Sequence, residues 1–191
     1  MGKPSAINTS TVNNSKHLVN LKGLIYGTSY NILFYHSSVD NYSEEIDSIL
    51  ADIDNSMSTY KPNSILSRIN NNQDIEVDNH FINVFKTSKK IFQKTDGRFD
   101  PSIGLLVNYW GFGAEKYQLT TEIKDDDIVK NLISKVGLDK FKIVDNRLKR
   151  PLNSYIDFNA IAKGYAVDEI GNYLKSKKIK NYLVEIGGEI N

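Results

Sequence analysis

The chain has 191 residues, 40% of them apolar and 25% charged, and a net charge of +1. That length carries one sizeable domain with a real core, and the balanced charge gives no bulk pull toward nucleic acid or a membrane surface. The lack of cysteine removes disulfides, thiol nucleophiles and thiolate metal sites, and the three histidines, His17, His36 and His80, have no metal-ligand spacing.

The opening segment, "MGKPSAINTSTVNNS", has no apolar signal-peptide core, and Ala6 stands where a myristoylation signal needs Ser or Thr. Its Ser, Asn and Thr content predicts a disordered lead-in over residues 1–17, either a linker after a removed export signal or a cloning remnant. Residues 18–191 read as one domain, and no apolar stretch is long enough to span a bilayer.

"LKGLIYGTSYNILFYH" reads as two strands, or as one strand bent at Gly27. "SEEIDSILADIDNSMS" sets Ile46, Ile49, Leu50, Ile53 and Met57 on one helical face, with Ser43 as the expected N-cap. "TYKPNSILSRIN" is rich in turn residues. "NHFINVFKTSKKIFQKTDG" is a second amphipathic helix with Phe81, Val84, Phe85, Ser88, Ile91 and Phe92 on its stripe, stopped by Asp96-Gly97. "RFDPSIGLLVNYWGFGAEK" reads as irregular. "DDDIVKNLISKVG" is a third helix closed by Gly137, and "KFKIVDNRLKR" a hairpin turning at Asp145-Asn146.

A strand, a break and a fourth helix follow in "YIDFNAIAKGYAVDEI", with Asn159 as the expected N-cap and Lys175, Lys177 and Lys178 at the far end. Hairpins mixed with helices predict an α+β fold, a largely antiparallel sheet with flanking helices. Asn191 falls three residues beyond a glycine pair, inside an expected strand, so the domain is expected to be incomplete at this end.

Several stretches carry possible chemistry. Around Asn159 a helix N-terminus offers free N–H groups, the small residues Ala160, Ala162 and Gly164 admit close approach, and Asp157 can accept hydrogen bonds. On local features alone the plainer reading, a capped helix packed on a sheet with a solvated Lys163, comes first. "TDGRFDPSIG" is equally a ligand-lining loop or a helix stop with an Asp–Pro turn. In "NYWGFG", Trp110 is expected as an aromatic plug against the core rather than a stacking platform. Tyr60 in "MSTYKPNS" could stack on a planar ligand, although packing at an interface is the safer local reading. Gly187-Gly188 in "VEIGGE" either admits a ligand or marks a bulge.

Taken in order, "GLIYGTSYNI", "MSTYKPNSILSRIN", "DGRFDPSIGLLVNYWGFG", "IDFNAIAKGYAVDEI" and "NYLVEIGGEI" resemble the successive signatures of the FAD:protein FMN transferase (ApbE) family, over Leu21–Asn191. The resemblance implies an enzyme with an ApbE-like fold that uses Mg²⁺ and takes FAD as substrate. It moves FMN onto a Thr or Ser hydroxyl of an acceptor flavoprotein, such as a respiratory-complex subunit, and releases AMP. Some members instead hydrolyse FAD.

By the same resemblance Tyr26, Tyr60, Arg98, Phe99, Asp100, Asp157, Lys163, Gly187 and Gly188 belong to the cofactor site, and the Ala160 carbonyl is a metal ligand. It also implies a place on the periplasmic side of the bacterial inner membrane, with a membrane link only through a removed lipid anchor. No nucleic-acid partner is expected. The family's His-x-Ile-Asp-Pro-like and Asp-Ala-x-x-Thr-like segments, which supply metal ligands and the catalytic base, do not occur in these 191 residues, so no catalytic residue is assigned. A FAD pyrophosphatase, a non-catalytic flavin-binding module and an inactive fragment therefore stay open as alternatives.

Overall fold

The computed structural model describes residues 16–37, 42–114 and 126–191. Of the expected lead-in, residues 1–15 lie outside the described residues, and His17 already opens the first strand. Strands β1 (His17–Ile25) and β2 (Thr28–His36) form a hairpin, and α1 (Ser43–Met57), α2 (Ile65–Asn70), α3 (Asn79–Lys94) and α4 (Gly104–Tyr109) follow. Next come α5 (Asp126–Ser134), a 3₁₀ turn at Leu138–Lys140, and the short hairpin β3 (Lys142–Val144) and β4 (Arg147–Lys149). The chain continues through α6 (Asn159–Ser176), β5 (Tyr182–Ile186) and β6 (Glu189–Ile190).

The main sheet has the order β1-β2-β5-β6, with every neighbouring pair antiparallel. This is the α+β architecture that the mixture of hairpins and helices predicts. Among the described residues all three hairpins close through two residues at positive φ: Tyr26 and Gly27, Asp145 and Asn146, Gly187 and Gly188. Such turns match the right-handed twist of the strands. "LKGLIYGTSYNILFYH" is thus two strands, and the glycine pair is a reversal rather than a bulge.

The inward face of the sheet carries Tyr30, Ile32 and Phe34 of β2 beside Val184 and Ile186 of β5, all buried, with Ile32 paired to Val184. Opposite Tyr30 on β1 stands Gly23. A Cβ there would sit 2.5 Å from the tyrosine ring, so only glycine accommodates it. Buried residues of α1 (Ile46, Leu50, Ile53, Met57), α3 (Phe81, Val84, Phe85) and α6 (Ala166, Val167, Ile170, Leu174) complete the core. The buried apolar residues of α1 and α3 fall on the stripes read from spacing, with Ile49, Ile91 and Phe92 only partly buried at their margins.

Several boundaries differ from expectation. Ser43 is the first residue of α1 and Tyr42 holds the N-cap position. Asn159 likewise lies inside α6, after Phe158. Helices also form where turn residues or glycines argued against them. α2 starts because Ser64 Oγ accepts the Ser67 N–H at 2.9 Å, and α4 occupies part of the glycine-bearing stretch after Pro101. The third helix stops at Ser134, and Gly137 (φ 124°) instead precedes the 3₁₀ turn. Trp110 is 46% exposed and packs edge-to-face with Tyr109, so it is not a plug in the core.

Candidate functional site

Two clefts lie on the two sides of the first turns of α6. The start of that helix is set by Phe158. Its side chain is fully buried, edge-to-face with Phe81 at 5.3 Å, and its carbonyl accepts the N–H of Ala162 at 2.8 Å. Asp157 just before it accepts from the backbone N–H of Asn159 at 2.7 Å and from Asn159 Nδ2 at 3.1 Å. Asn159, expected as the N-cap acceptor, instead donates, and Asp157 receives the free N–H of the helix start. Burial raises the Asp157 carboxyl above its usual range, against the two hydrogen bonds from Asn159.

The first cleft has a volume of about 780 Å³, within the range of small-molecule sites. Tyr26 and Gly27 from the β1–β2 turn form one end, and Ile53, Asp54 and Met57 of α1 form a wall. Ser58, Tyr60 and Lys61 close it from the loop after α1, and Asn159, Ala162 and Lys163 from α6. Tyr26 donates its hydroxyl to the Leu50 carbonyl at 2.9 Å, which fixes the ring against α1. Burial first, then the charge of Asp54, pushes its pKa up, so it stays neutral across physiological pH.

The loop bearing Tyr60 is clamped through Ser58. Ser58 Oγ accepts the N–H groups of Tyr60 (3.1 Å) and Lys61 (3.2 Å), and its carbonyl accepts from Ser64 Oγ (2.5 Å) and Ser67 Oγ (3.0 Å). Tyr60 itself is 67% exposed, an aromatic face presented on a held backbone. Both cations of the lining are paired: Lys61 Nζ lies 2.6 Å from Asp54, and Lys163 Nζ lies 2.8 Å from Glu189 Oε2 and 3.3 Å from the Gly187 carbonyl.

The second cleft, about 460 Å³, has Val84, Thr87 and Ile91 of α3 on one side. Ala160, Ile161, Gly164, Tyr165, Val167 and Asp168 of α6 and Glu189 and Ile190 of β6 form the rest. Ala160 thus opens to this cleft, and Lys163 to the other.

The structure therefore brings Tyr26, Tyr60 and Lys163 together on one cleft, with the Gly187-Gly188 turn touching Lys163 through the Gly187 carbonyl. Gly187 is required sterically. Its φ is 55°, and a Cβ would meet Thr28 Cγ2 at 2.8 Å. Arg98, Phe99 and Asp100 lie outside the lining of both clefts. Arg98 is exposed near Asp96, and the Phe99 N–H donates to Thr95 Oγ1 at 3.1 Å. Asp100 is spent internally, accepting from Ser102 N–H (2.8 Å), Ser102 Oγ (2.6 Å) and the Leu138 N–H (3.3 Å). That loop meets the strand before α6 through the Asp157 N–H, which donates to the Pro101 carbonyl at 2.8 Å.

Sequence reasoning missed Asp54, Ser58, Lys61 and Glu189. Ser58 carried a readable signal, because a Ser two residues before Tyr60 can form a side-chain turn. Glu189 carried none beyond following two glycines. Among the described residues no three His, Asp or Glu side chains converge in a way that could hold a metal ion. The described side chains alone do not form a magnesium site.

The family comparison falls on these same segments. The sequence model described as the ApbE family matches residues 26–191, and the chain belongs to the ApbE family. It is 35% identical over 180 residues to the FAD:protein FMN transferase of Vibrio cholerae, covering 90% of this chain and 53% of that protein. It is 32% identical over 199 residues to the enzyme of the same name from Haemophilus influenzae, covering 97% of this chain and 57% of the relative. The solved flavin transferase ApbE from Vibrio cholerae superposes with a TM-score of 0.83 at 34% identity, over 92% of this chain and 59% of that one. The chain thus spans about half the length of the curated relatives it matches.

Proposed function

We propose that this chain supplies one wall of the flavin-nucleotide site of an FAD:protein FMN transferase. The protein takes FAD, transfers its FMN portion to a Thr or Ser hydroxyl of an acceptor protein, and releases AMP. The observation that carries this reading is the first cleft, where Tyr26, Tyr60 and Lys163, drawn from three separated motifs, line one volume. Tyr60 offers a face for a flat ring system, and Lys163 a cation for a diphosphate. Members of this class break a pyrophosphate bond, which needs neutralisation of charge on the phosphate oxygens and a positioned hydroxyl.

In this reading Mg²⁺ contributes to that neutralisation, with the Ala160 carbonyl as this chain's own donor and further oxygen ligands from outside the described residues. The acceptor is a flavoprotein, with a respiratory-complex subunit as the proposed type. The proposed place of action is the periplasmic side of the bacterial inner membrane, reached through a lipid anchor. These points rest on the resemblance of the motifs.

A second reading, a flavin-binding module without chemistry, is favoured by the lack of a converging acidic cluster among the described residues. One experiment separates the readings. FAD is titrated with and without Mg²⁺, the nucleotides are chromatographed, and a candidate acceptor is examined by mass for added FMN. AMP together with a labelled acceptor supports the transferase. AMP alone indicates a pyrophosphatase, bound FAD without AMP indicates the module, and no binding refutes the cleft assignment.

A further inference from the structure

Lys163 lines the first cleft, but its acceptors come from the β5–β6 hairpin, and Glu189 belongs to the lining of the second cleft. The pair is half-exposed, with 32% of the Lys163 side chain and 41% of the Glu189 side chain open to solvent. Pairs of this kind add little stability. The edge strand is also fastened without it. Asn191 Nδ2 donates to Asp168 Oδ1 at 3.0 Å, and Val184 and Asn191 exchange both backbone hydrogen bonds at 3.0 Å. The main effect of the carboxylate therefore falls on the charge that Lys163 presents. The other cation of the lining, Lys61, is held by Asp54 in the same way, so the cleft is balanced before any ligand arrives.

We propose that Glu189 is an internal competitor for the Lys163 ammonium: it holds the cation that an anionic ligand group would need and lowers the affinity of the first cleft for diphosphate-bearing ligands relative to neutral ones. The choice of FAD as ligand rests on the flavin reading above. The competition itself requires only an anion that can reach Lys163. An arriving phosphate meets a neutral pair instead of a free cation, and must share the ammonium with the carboxylate or displace it. Glu189→Gln keeps the shape and an acceptor oxygen but removes the charge. A half-exposed ion pair of this kind shifts an equilibrium by roughly two- to fivefold, so freeing the ammonium tightens anion binding by about that much.

The test titrates inorganic pyrophosphate, FAD and riboflavin against the unmodified protein and Glu189→Gln in metal-free buffer by calorimetry, with thermal unfolding in parallel. Pyrophosphate and FAD are expected to bind more tightly to Glu189→Gln by roughly two- to fivefold, while riboflavin affinity and melting temperature stay unchanged. Combining Glu189→Gln with Lys163→Met abolishes the gain, because the group competed for is gone. The proposal is overturned if pyrophosphate and FAD bind no better to Glu189→Gln, or if the gain survives in the double variant. If pyrophosphate tightens but neither protein binds a flavin, the competition stands and the flavin reading fails.

Discussion

Replacing Phe158 with alanine tests what holds the start of α6, and with it both clefts. Phe158 has 0% exposure and packs edge-to-face on Phe81 with ring centroids 5.3 Å apart. An aromatic side chain buries about 200 Å², and at about 25 cal/mol per Å² its removal costs about 5 kcal/mol as an upper bound. Large-to-small substitutions of aromatic core residues cost about 3–5 kcal/mol, and that is the expected loss for Phe158→Ala. Set against a total stability of about 5–15 kcal/mol, it brings the protein near its unfolding threshold. Phe158→Leu keeps most of the volume, and its expected cost of about 1 kcal/mol leaves a measurable folded state. Equilibrium urea denaturation of both variants reads the two losses. A Phe158→Ala loss below about 1 kcal/mol at unchanged m would refute the claim that this ring anchors the helix.

Tyr60→Ala removes a face that is 67% exposed and held by its backbone, so stability is expected to stay put. Flavin affinity, followed by fluorescence quenching, falls by about 0.5–1.5 kcal/mol, the increment of an aromatic pair; an unchanged affinity would remove the ring from the site. Asp78→Ala strips the cap of α3, where Asp78 Oδ1 accepts from the Phe81 N–H and from Ser56 Oγ, both at 2.8 Å. A loss of about 1–2 kcal/mol is expected in the same denaturation assay, and no loss would make the cap incidental. Asp157 is raised by burial, so the folded state holds its proton more tightly than the unfolded chain. Its contribution is thus most favourable at acidic pH and declines as pH rises from the usual carboxylate range through the raised folded value. Asp157→Asn should therefore be more stable than the unmodified protein at neutral pH, with the advantage gone in acid. An advantage that does not vary with pH would refute the assignment.

The helical stripes of α1 and α3 were legible because period and burial coincide there. The hairpin at Asp145-Asn146 was legible because those residues accept positive φ. The Tyr26-Gly27 turn was half hidden, since a tyrosine at φ 53° is not a turn signal, and here its hydroxyl bond to Leu50 holds it in place. α2 was obscured because its Ser64 cap sits among turn residues, and α4 because Gly104 stands at its start. That glycine is set by the Tyr155 ring, 2.4 Å from where a Cβ would be, a contact that no local pattern encodes. The site followed the same rule. Ordered motifs pointed to Tyr26, Tyr60 and Lys163, but the carboxylate on Lys163 arrives from a strand after the last turn. The carboxylate of Asp100, a motif residue, holds Ser102 and the 3₁₀ turn, a long-range contact that the sequence pattern does not encode.

The first turns of α6 form a partition one helix thick. Asn159, Ala162 and Lys163 face one side, and Ala160, Ile161 and Gly164 the other. A helix turns as a rigid rod, so any rotation that drives Lys163 further into the first volume swings Ala160 out of the second. The two chambers are geared to each other through a single shaft, and no substitution that tilts or turns this segment can reshape one of them alone.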